Sequence, residues 1–406
     1  MGVSAEAWKK TYAPVLRRWW ARHRTTLLWV AVMLMTLGAL QRLGNEFSRL
    51  LWQQTPSGAV DLKLLHEFVH RWFAGMPIYS ESRDAVAPPA TYVILWPLLG
   101  WLAVTPARWL WAVSSAAMLS WLVYLILQGS GAEGLVESLF VAMLPLAMYS
   151  TAAAIGNGQF IVIFLPIMLA GLLLLYRGQA GWSRDLLGAA LLLVALVKPT
   201  ISLPFVWIMV FAPRGLRPAA LVASGYVALT LFATSFQVRS LPTLLRDSVA
   251  RGSALATEHG SSNLHIWLAT LRLKDWILPA SLLVLLVLGF WTYRHRDGDI
   301  WLQLGVTALV ARFWAYHRLY DNLLVLPAMI ALFRIAKRGE PADGTDAVAG
   351  VLLMALWVTA LAPVVLLRSS SCWGWLAVSA QTILWIIVLI FLLVQAQREE
   401  SAVTST

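Results

Sequence analysis

The sequence predicts an all-α polytopic membrane protein, and three observations carry that expectation. Hydrophobic residues make up 59% of the 406 and charged residues 13%, with a mean hydropathy of +0.71; an ordinary soluble domain carries about 25% charge. Apolar runs close to the roughly 20 residues that cross a bilayer recur from residue 25 nearly to the end, with no soluble domain between them. Basic residues gather in short segments beside these runs, where membrane proteins charge their cytoplasmic loops. One membrane domain is therefore expected over 1–406, and the net charge of +11 needs no nucleic-acid partner.

Taken in order, hydropathy breaks give about twelve transmembrane helices, on 25–41, 90–104, 107–128, 135–155, 159–176, 186–211, 216–236, 276–293, 300–316, 319–336, 347–367 and 373–394. Lys9, Lys10, Arg17, Arg18, Arg22 and Arg24 precede the first run with only Glu6 among them, so residues 1–24 are expected in the cytoplasm. No small-residue cleavage site follows, and the run reads as a retained signal anchor. Alternation then puts Arg214 and Arg217, Arg294 and Arg296, and Arg334, Lys337 and Arg338 inside, as the positive-inside rule independently favours. The tail 395–406 follows them. Outside fall the longest polar segments, 41–88 and 237–275, and the joint 317–321. The loop 177–185 also falls outside, against the preference of its Arg177 and Arg184. The lone cysteine, Cys372, excludes an intramolecular disulfide and a cysteine-built metal centre.

The outer loops hold the chemistry. Leu64, Leu65, Phe68, Val69 and Trp72 recur at helical spacing while Lys63, His66, Glu67, His70 and Arg71 face away, which predicts an amphipathic interfacial helix over 61–73. Gly75 and Pro77 end it, and Pro88-Pro89 open the next run. Asp61 at its start is either a helix N-cap or a general base. His66 and His70, four apart, read as a solvated face rather than half a metal site.

Further along, Gly156-Asn157-Gly158-Gln159 separates two runs and reads as a tight turn or a polar contribution to a site. Lys198-Pro199-Thr200 interrupts the run 186–211, so Lys198 snorkels, pairs with another span, or meets an anion. Arg312-Phe-Trp-Ala-Tyr316-His317-Arg318-Leu-Tyr320-Asp321-Asn322 wedges a polar cluster between two apolar runs; it is a topological turn or a place where His317, Arg312 and Arg318 meet phosphate. Arg239, Arg246 and Arg251 precede His259, Asn263 and His265, with a short interfacial or re-entrant helix expected over 263–273; these arginines suit a donor phosphate or lipid headgroups. Walker, dinucleotide-binding, HExxH and Asp-x-Asp patterns are absent.

In their order, Asp61, Gly75-Met-Pro77-Ile-Tyr79, Pro88-Pro89-Ala-Thr-Tyr92, Gly158-Gln159, Lys198-Pro199-Thr200 and the patch from His317 to Pro327 resemble the polyprenyl-phosphate-sugar-dependent glycosyltransferases of the GT-C fold, specifically glycosyltransferase family 87. Where relatives often carry Asn-Gln-Ser before an apolar helix, this chain has Ser261-Ser262-Asn263-Leu264. The resemblance implies a GT-C-type fold in a bacterial plasma membrane. It implies inverting transfer of a hexose, most often mannose, from an isoprenoid monophosphate to a lipid or glycan hydroxyl on the extracytoplasmic face. Asp61 and His317 would be catalytic, and Lys198, Arg312, Arg318, Gln159, Tyr79 and Asn263 would bind donor phosphate or substrate. No cofactor or metal is implied, the donor being a co-substrate. A lipid-carrier or solute transporter using Lys198, Arg312 and Asp321 as coupling charges, and an outer-face glycan polymerase or ligase, are the alternatives.

Overall fold

Each apolar run of the sequence falls on a helix, but the helices do not all cross. The computed structural model describes residues 13–53, 57–82, 84–179, 181–256, 263–338, 344–361 and 372–404, and every regular element among them is helical. Lys9, Lys10, His259, Ser261 and Ser262 lie outside the described residues. In chain order the helices are α1 (Ala13–Leu51), α2 (Val60–Phe73), α3 (Pro89–Leu99), α4 (Val104–Ser130), α5 (Gly134–Ala147), α6 (Tyr149–Asn157), α7 (Ile161–Arg177), α8 (Trp182–Ala195), α9 (Pro199–Ser202) and α10 (Val206–Phe211). There follow α11 (Leu216–Thr234), α12 (Leu241–Ala256), α13 (Leu264–Thr270), α14 (Ile277–Arg294), α15 (Ile300–Trp314), α16 (Leu326–Arg338), α17 (Thr345–Leu361) and α18 (Cys372–Thr404). Among the described residues six helices are long and apolar enough to span a membrane, or seven if the pair α5 and α6, bent by 45°, counts as one. That bend follows from Pro145 and the extended backbone of Met148.

Ion pairs define one end of the bundle. Lys337 reaches Glu137 at 3.0 Å and Glu133 at 3.2 Å, and Arg24 pairs with the same Glu137. Arg334 and Arg338 meet Asp299 at 2.5 and 3.2 Å, and Arg294 meets Glu400 at 3.4 Å. Tyr176 donates to the Gly298 carbonyl at 2.5 Å, and Arg217 and Arg184 share Asp185 at 3.1 and 2.7 Å. Basic loops from α1, α4, α7, α10, α14, α16 and α18 thus meet at this basic end.

Two expectations are corrected here, and they offset one another. The run 90–104 does not cross: α3 begins beside α2, where Tyr79 donates to Ala87 O, and the chain beyond it returns there, with Leu102 O against His66 at 2.7 Å and Arg108 on the carbonyl of Leu50. The run 186–211, expected as one span, is a hairpin. Its two arms meet the basic end at Arg184 and Pro213 (3.4 Å), while its apex, Lys198-Pro199-Thr200, lies at the opposite end. The loop 177–185 therefore joins the basic end instead of the outer one. Hydropathy registers an apolar environment and not direction, so a proline that starts a returning helix, as Pro199 does, looks like a break inside one span. Single-cysteine labelling in a Cys372→Ser background checks this: Gln179→Cys is expected to react from the same side as Asp297→Cys and from the side opposite Ser240→Cys.

A third correction concerns the first outer loop. α1 runs ten residues past the expected start at 41, to Leu51. Two of its arginines turn inward: Arg42 donates to Leu361 O at 3.0 Å, and Arg49 to Asn157 Oδ1 at 2.8 Å. Lipid is left with Val30, Met33, Leu34, Leu37 and Leu40.

Candidate active site

Short helices make room for polar groups at the end opposite the basic one. α8 has 14 residues and α15 has 15, so each rises only about 21–23 Å against the roughly 30 Å of bilayer hydrocarbon. The chain segments that follow them, Lys198-Pro199-Thr200 and 315–322, turn together at the end opposite the basic one. α2 covers them from the loop side, burying Leu62, Leu65, Phe68, Val69 and Trp72 and exposing Glu67 and His70. Gly75, at φ 74°, ends α2 in a left-handed cap, its N–H donating to Trp72 O at 3.1 Å. Trp72 ties the cover to α11 through Ala233 O at 2.9 Å.

Asp61 is not an N-cap. Ala59 holds that position, in the left-handed conformation (φ 52°), with no side-chain cap, and its N–H donates to Gly156 O at 3.1 Å. Asp61 is the second residue of the helix and is hydrogen-bonded to the Gln159 side chain. The tract Gly156 to Gln159 is thus a turn and a site element at once. Gly158 has φ 75°, and a Cβ there would lie 2.4 Å from that of Leu62. Gly158→Ala is expected to cost at least about 1–2 kcal/mol from the left-handed backbone alone and to push Asp61 off Gln159. Thermal melting of the purified protein, with the acid titration of Asp61 followed spectroscopically, would check both effects.

Facing Asp61 is a cationic cluster anchored on Asp321. Lys198 Nζ donates to both Asp321 oxygens, at 2.8 and 3.0 Å, and lies 5.4 Å from the Tyr320 ring centre. The Arg318 backbone N–H donates to Asp321 Oδ2 at 3.2 Å, and His317 Nδ1 lies 3.3 Å from the same oxygen. His317 Nε2 donates to Ala311 O at 2.8 Å; a neutral ring satisfies one of these acceptors and an imidazolium both. Arg312, fully buried, donates from Nε to Asn322 Oδ1 at 2.9 Å and stands 5.0 Å over Trp385, while its Nη1 has no partner. Arg318 binds the Tyr316 hydroxyl and reaches the exposed Asp84 at 4.0 Å.

The electrostatics of Asp61 follow from this setting. Burial pushes its carboxyl above the usual value of 3.8, more than the Gln159 hydrogen bond and the charges of Arg318 and Lys198 pull it down, and Asp321 adds to the upward push. Lys198, Arg312 and Arg318 stand among Asp61 and Asp321, with the exposed Asp84 4.0 Å from Arg318 at the edge. Protonating Asp61 makes the cluster more positive by one charge.

Of the residues singled out from sequence, Asp61, Gln159, Lys198, Arg312, His317 and Arg318 come together. Tyr79 does not: its hydroxyl donates to Ala87 O at 2.5 Å and its ring packs edge-on against Trp72, 5.8 Å away, so it pins the loop and leaves the cluster alone. Asn263 caps α13, accepting from Ile266 N at 3.0 Å, in agreement with the short helix expected there. Arg239 pairs with Asp247 at 2.8 Å and Arg251 donates to Tyr79 O at 3.0 Å, so both serve the fold of the loops. His66, expected on a solvated face, is half-buried with Leu102 O; its ring lies 4.3 Å from that of His70, and among the described residues no third ligand joins them. Asp321, read from sequence only as part of the polar cluster and as a coupling charge of a carrier, is the anchor of the group, with Lys198 and His317 on its carboxylate. No family model, curated protein or solved structure matches the chain.

Proposed function

We propose that this chain is an inverting membrane glycosyltransferase that moves a hexose, mannose by resemblance, from a polyprenyl-phosphate donor to a lipid or glycan hydroxyl on the extracytoplasmic face. One observation carries the reading: the buried carboxyl of Asp61 has the Gln159 side chain and the charges of Lys198 and Arg318 around it. Asp61 accepts the proton of the acceptor hydroxyl as its oxygen attacks the anomeric carbon. The bond from that carbon to the phosphate oxygen breaks on the opposite face, and its electron pair leaves with the polyprenyl phosphate. Lys198, Arg318 and Arg312 neutralise the departing charge in a medium where fixed cations act strongly, and His317, which only as an imidazolium carries a proton on Nδ1 as well as on the Nε2 bonded to Ala311 O, donates that Nδ1–H to it. Burial helps the base, because a raised carboxyl is a stronger proton acceptor. The basic end then faces the cytoplasm, as the positive-inside rule requires.

A lipid-phosphate carrier is the rival, favoured by the Lys198–Asp321 pair. Proteoliposomes given a labelled polyprenyl-phosphate hexose and a panel of acceptors separate the two. Release of free polyprenyl phosphate in step with labelled acceptor supports transfer. Movement of intact donor across the bilayer with no labelled acceptor supports the carrier.

A further inference from the structure

A second polar group of side chains lies beside the cationic cluster, and two of its members are buried with bonding capacity unused. His265 Nε2 lies 2.7 Å from Ser281 Oγ, and Ser281 Oγ lies 2.9 Å from the Trp314 carbonyl. A carbonyl only accepts, so the serine proton points to Trp314 O and the shared hydrogen on the histidine side belongs to Nε2. The relay fixes the tautomer and leaves Nδ1 as an acceptor, buried and without a partner. Asn263, 1% exposed, spends its Oδ1 on capping Ile266 N and keeps its Nδ2 donor buried and unpartnered. The Thr200 hydroxyl is unpartnered as well, and Trp314 joins it to the others by donating from Nε1 to Thr200 O at 2.8 Å. Buried polar atoms left open cost free energy unless something fills them.

We infer that Asn263 and His265, with Thr200, form a subsite for the hydroxyls of the donor's sugar, Asn263 Nδ2 donating to one oxygen and His265 Nδ1 accepting from a hydroxyl. The inference rests on the phosphate reading of the neighbouring cluster. A hydroxyl both donates and accepts, so a polyol satisfies the two orphans together, whereas a phosphate offers acceptors only and would leave Nδ1 unmatched. Burial, with His317 adding to it against the Trp314 carbonyl, holds His265 down to about 4, so the ring is neutral at physiological pH and its acceptor open. Trp314 joins the two groups in space, donating from Nε1 to Thr200 O and accepting from Ser281 at its carbonyl, and His317 bears electrostatically on His265.

The test is equilibrium binding of two lipids to the full-length protein in nanodiscs, polyprenyl phosphate and polyprenyl-phosphate mannose. Wild type is expected to bind the sugar-bearing lipid about tenfold tighter, the worth of one to two neutral hydrogen bonds. Asn263→Ser, which keeps a capping oxygen and loses the amide donor, and His265→Ala are each expected to lose most of that increment with the affinity for bare polyprenyl phosphate unchanged. Ser281→Ala leaves the imidazole in place but frees its tautomer, and is expected to reduce the increment less. An increment that persists in Asn263→Ser and His265→Ala overturns the subsite while the phosphate reading stands. If wild type binds neither lipid better than neutral polyprenol, the phosphate reading fails and the subsite falls with it.

Discussion

Asp61→Asn is expected to abolish transfer while making the protein harder to melt. Removing a positioned general base costs on the order of 10²–10⁴ in rate, and Asn keeps the shape and the acceptor that Gln159 binds. Stability moves the other way. The carboxyl is raised by burial, so the folded protein holds this proton more tightly than the unfolded chain does. Its contribution to stability is complete below the unfolded value and is lost as pH rises through the folded one. At neutral pH the wild type carries that cost and the Asn variant does not. Melting scans at pH 4 and pH 7.5 should show the variant's advantage growing with pH. The same shift sets the rate profile the proposal predicts: the acidic limb of kcat/KM should fall above the ordinary carboxylate value of 3.8, since a general base acts only when deprotonated. Gln159, Arg318, Lys198 and Asp321 all bear on Asp61, so Arg318→Met should move the limb further up. A variant that transfers normally, or melts lower at neutral pH, contradicts this account of Asp61.

Breaking the Lys198–Asp321 pair is expected to be the most damaging single change to the fold. Asp321 is 1% exposed and receives Lys198, the Arg318 backbone N–H and His317. Asp321→Asn leaves the half-buried Lys198 ammonium without its hydrogen-bonded carboxylate, and Lys198→Met leaves the buried carboxylate with weaker partners. Removing one member of such a pair costs about 3–5 kcal/mol, whereas removing both costs much less. Lys198→Met/Asp321→Asn is therefore expected to melt well above either single variant, a coupling that a double-mutant cycle reads directly. The double variant should nonetheless fail to bind polyprenyl phosphate, because the cation it lost is the one that would meet it. Additive effects of the two changes would show that the pair is not a unit.

These residues also show what the sequence makes legible. The stripe on α2, the glycine turn ahead of Gln159 and the cation at Lys198 are local patterns, and all were readable, because spacing and backbone preference act over a few residues. Asp61's setting was half readable. Its helix was evident, but the N-cap role went to Ala59, whose left-handed backbone is fixed by a bond to Gly156 O nearly a hundred residues away. Direction through the membrane was the least legible. α3 returns to the end it left, and the run 186–211 doubles back at Lys198; the two errors cancel, so the basic loops after them still fell on the expected side. Only Arg177 and Arg184 signalled the fault, by their charge. Asp321 and His265 were visible as residues but not as partners, because their roles come from groups distant or separate in sequence, Lys198 and Ser281.

The most direct test of the central claim is a single-turnover reaction of purified wild-type protein in nanodiscs with polyprenyl-phosphate mannose and an acceptor panel, read for both products. The account predicts free polyprenyl phosphate and a mannosylated acceptor in equal amounts, with the anomeric configuration inverted relative to the donor. Donor consumed with retained configuration, or donor left intact with every acceptor while it crosses the bilayer, would contradict it.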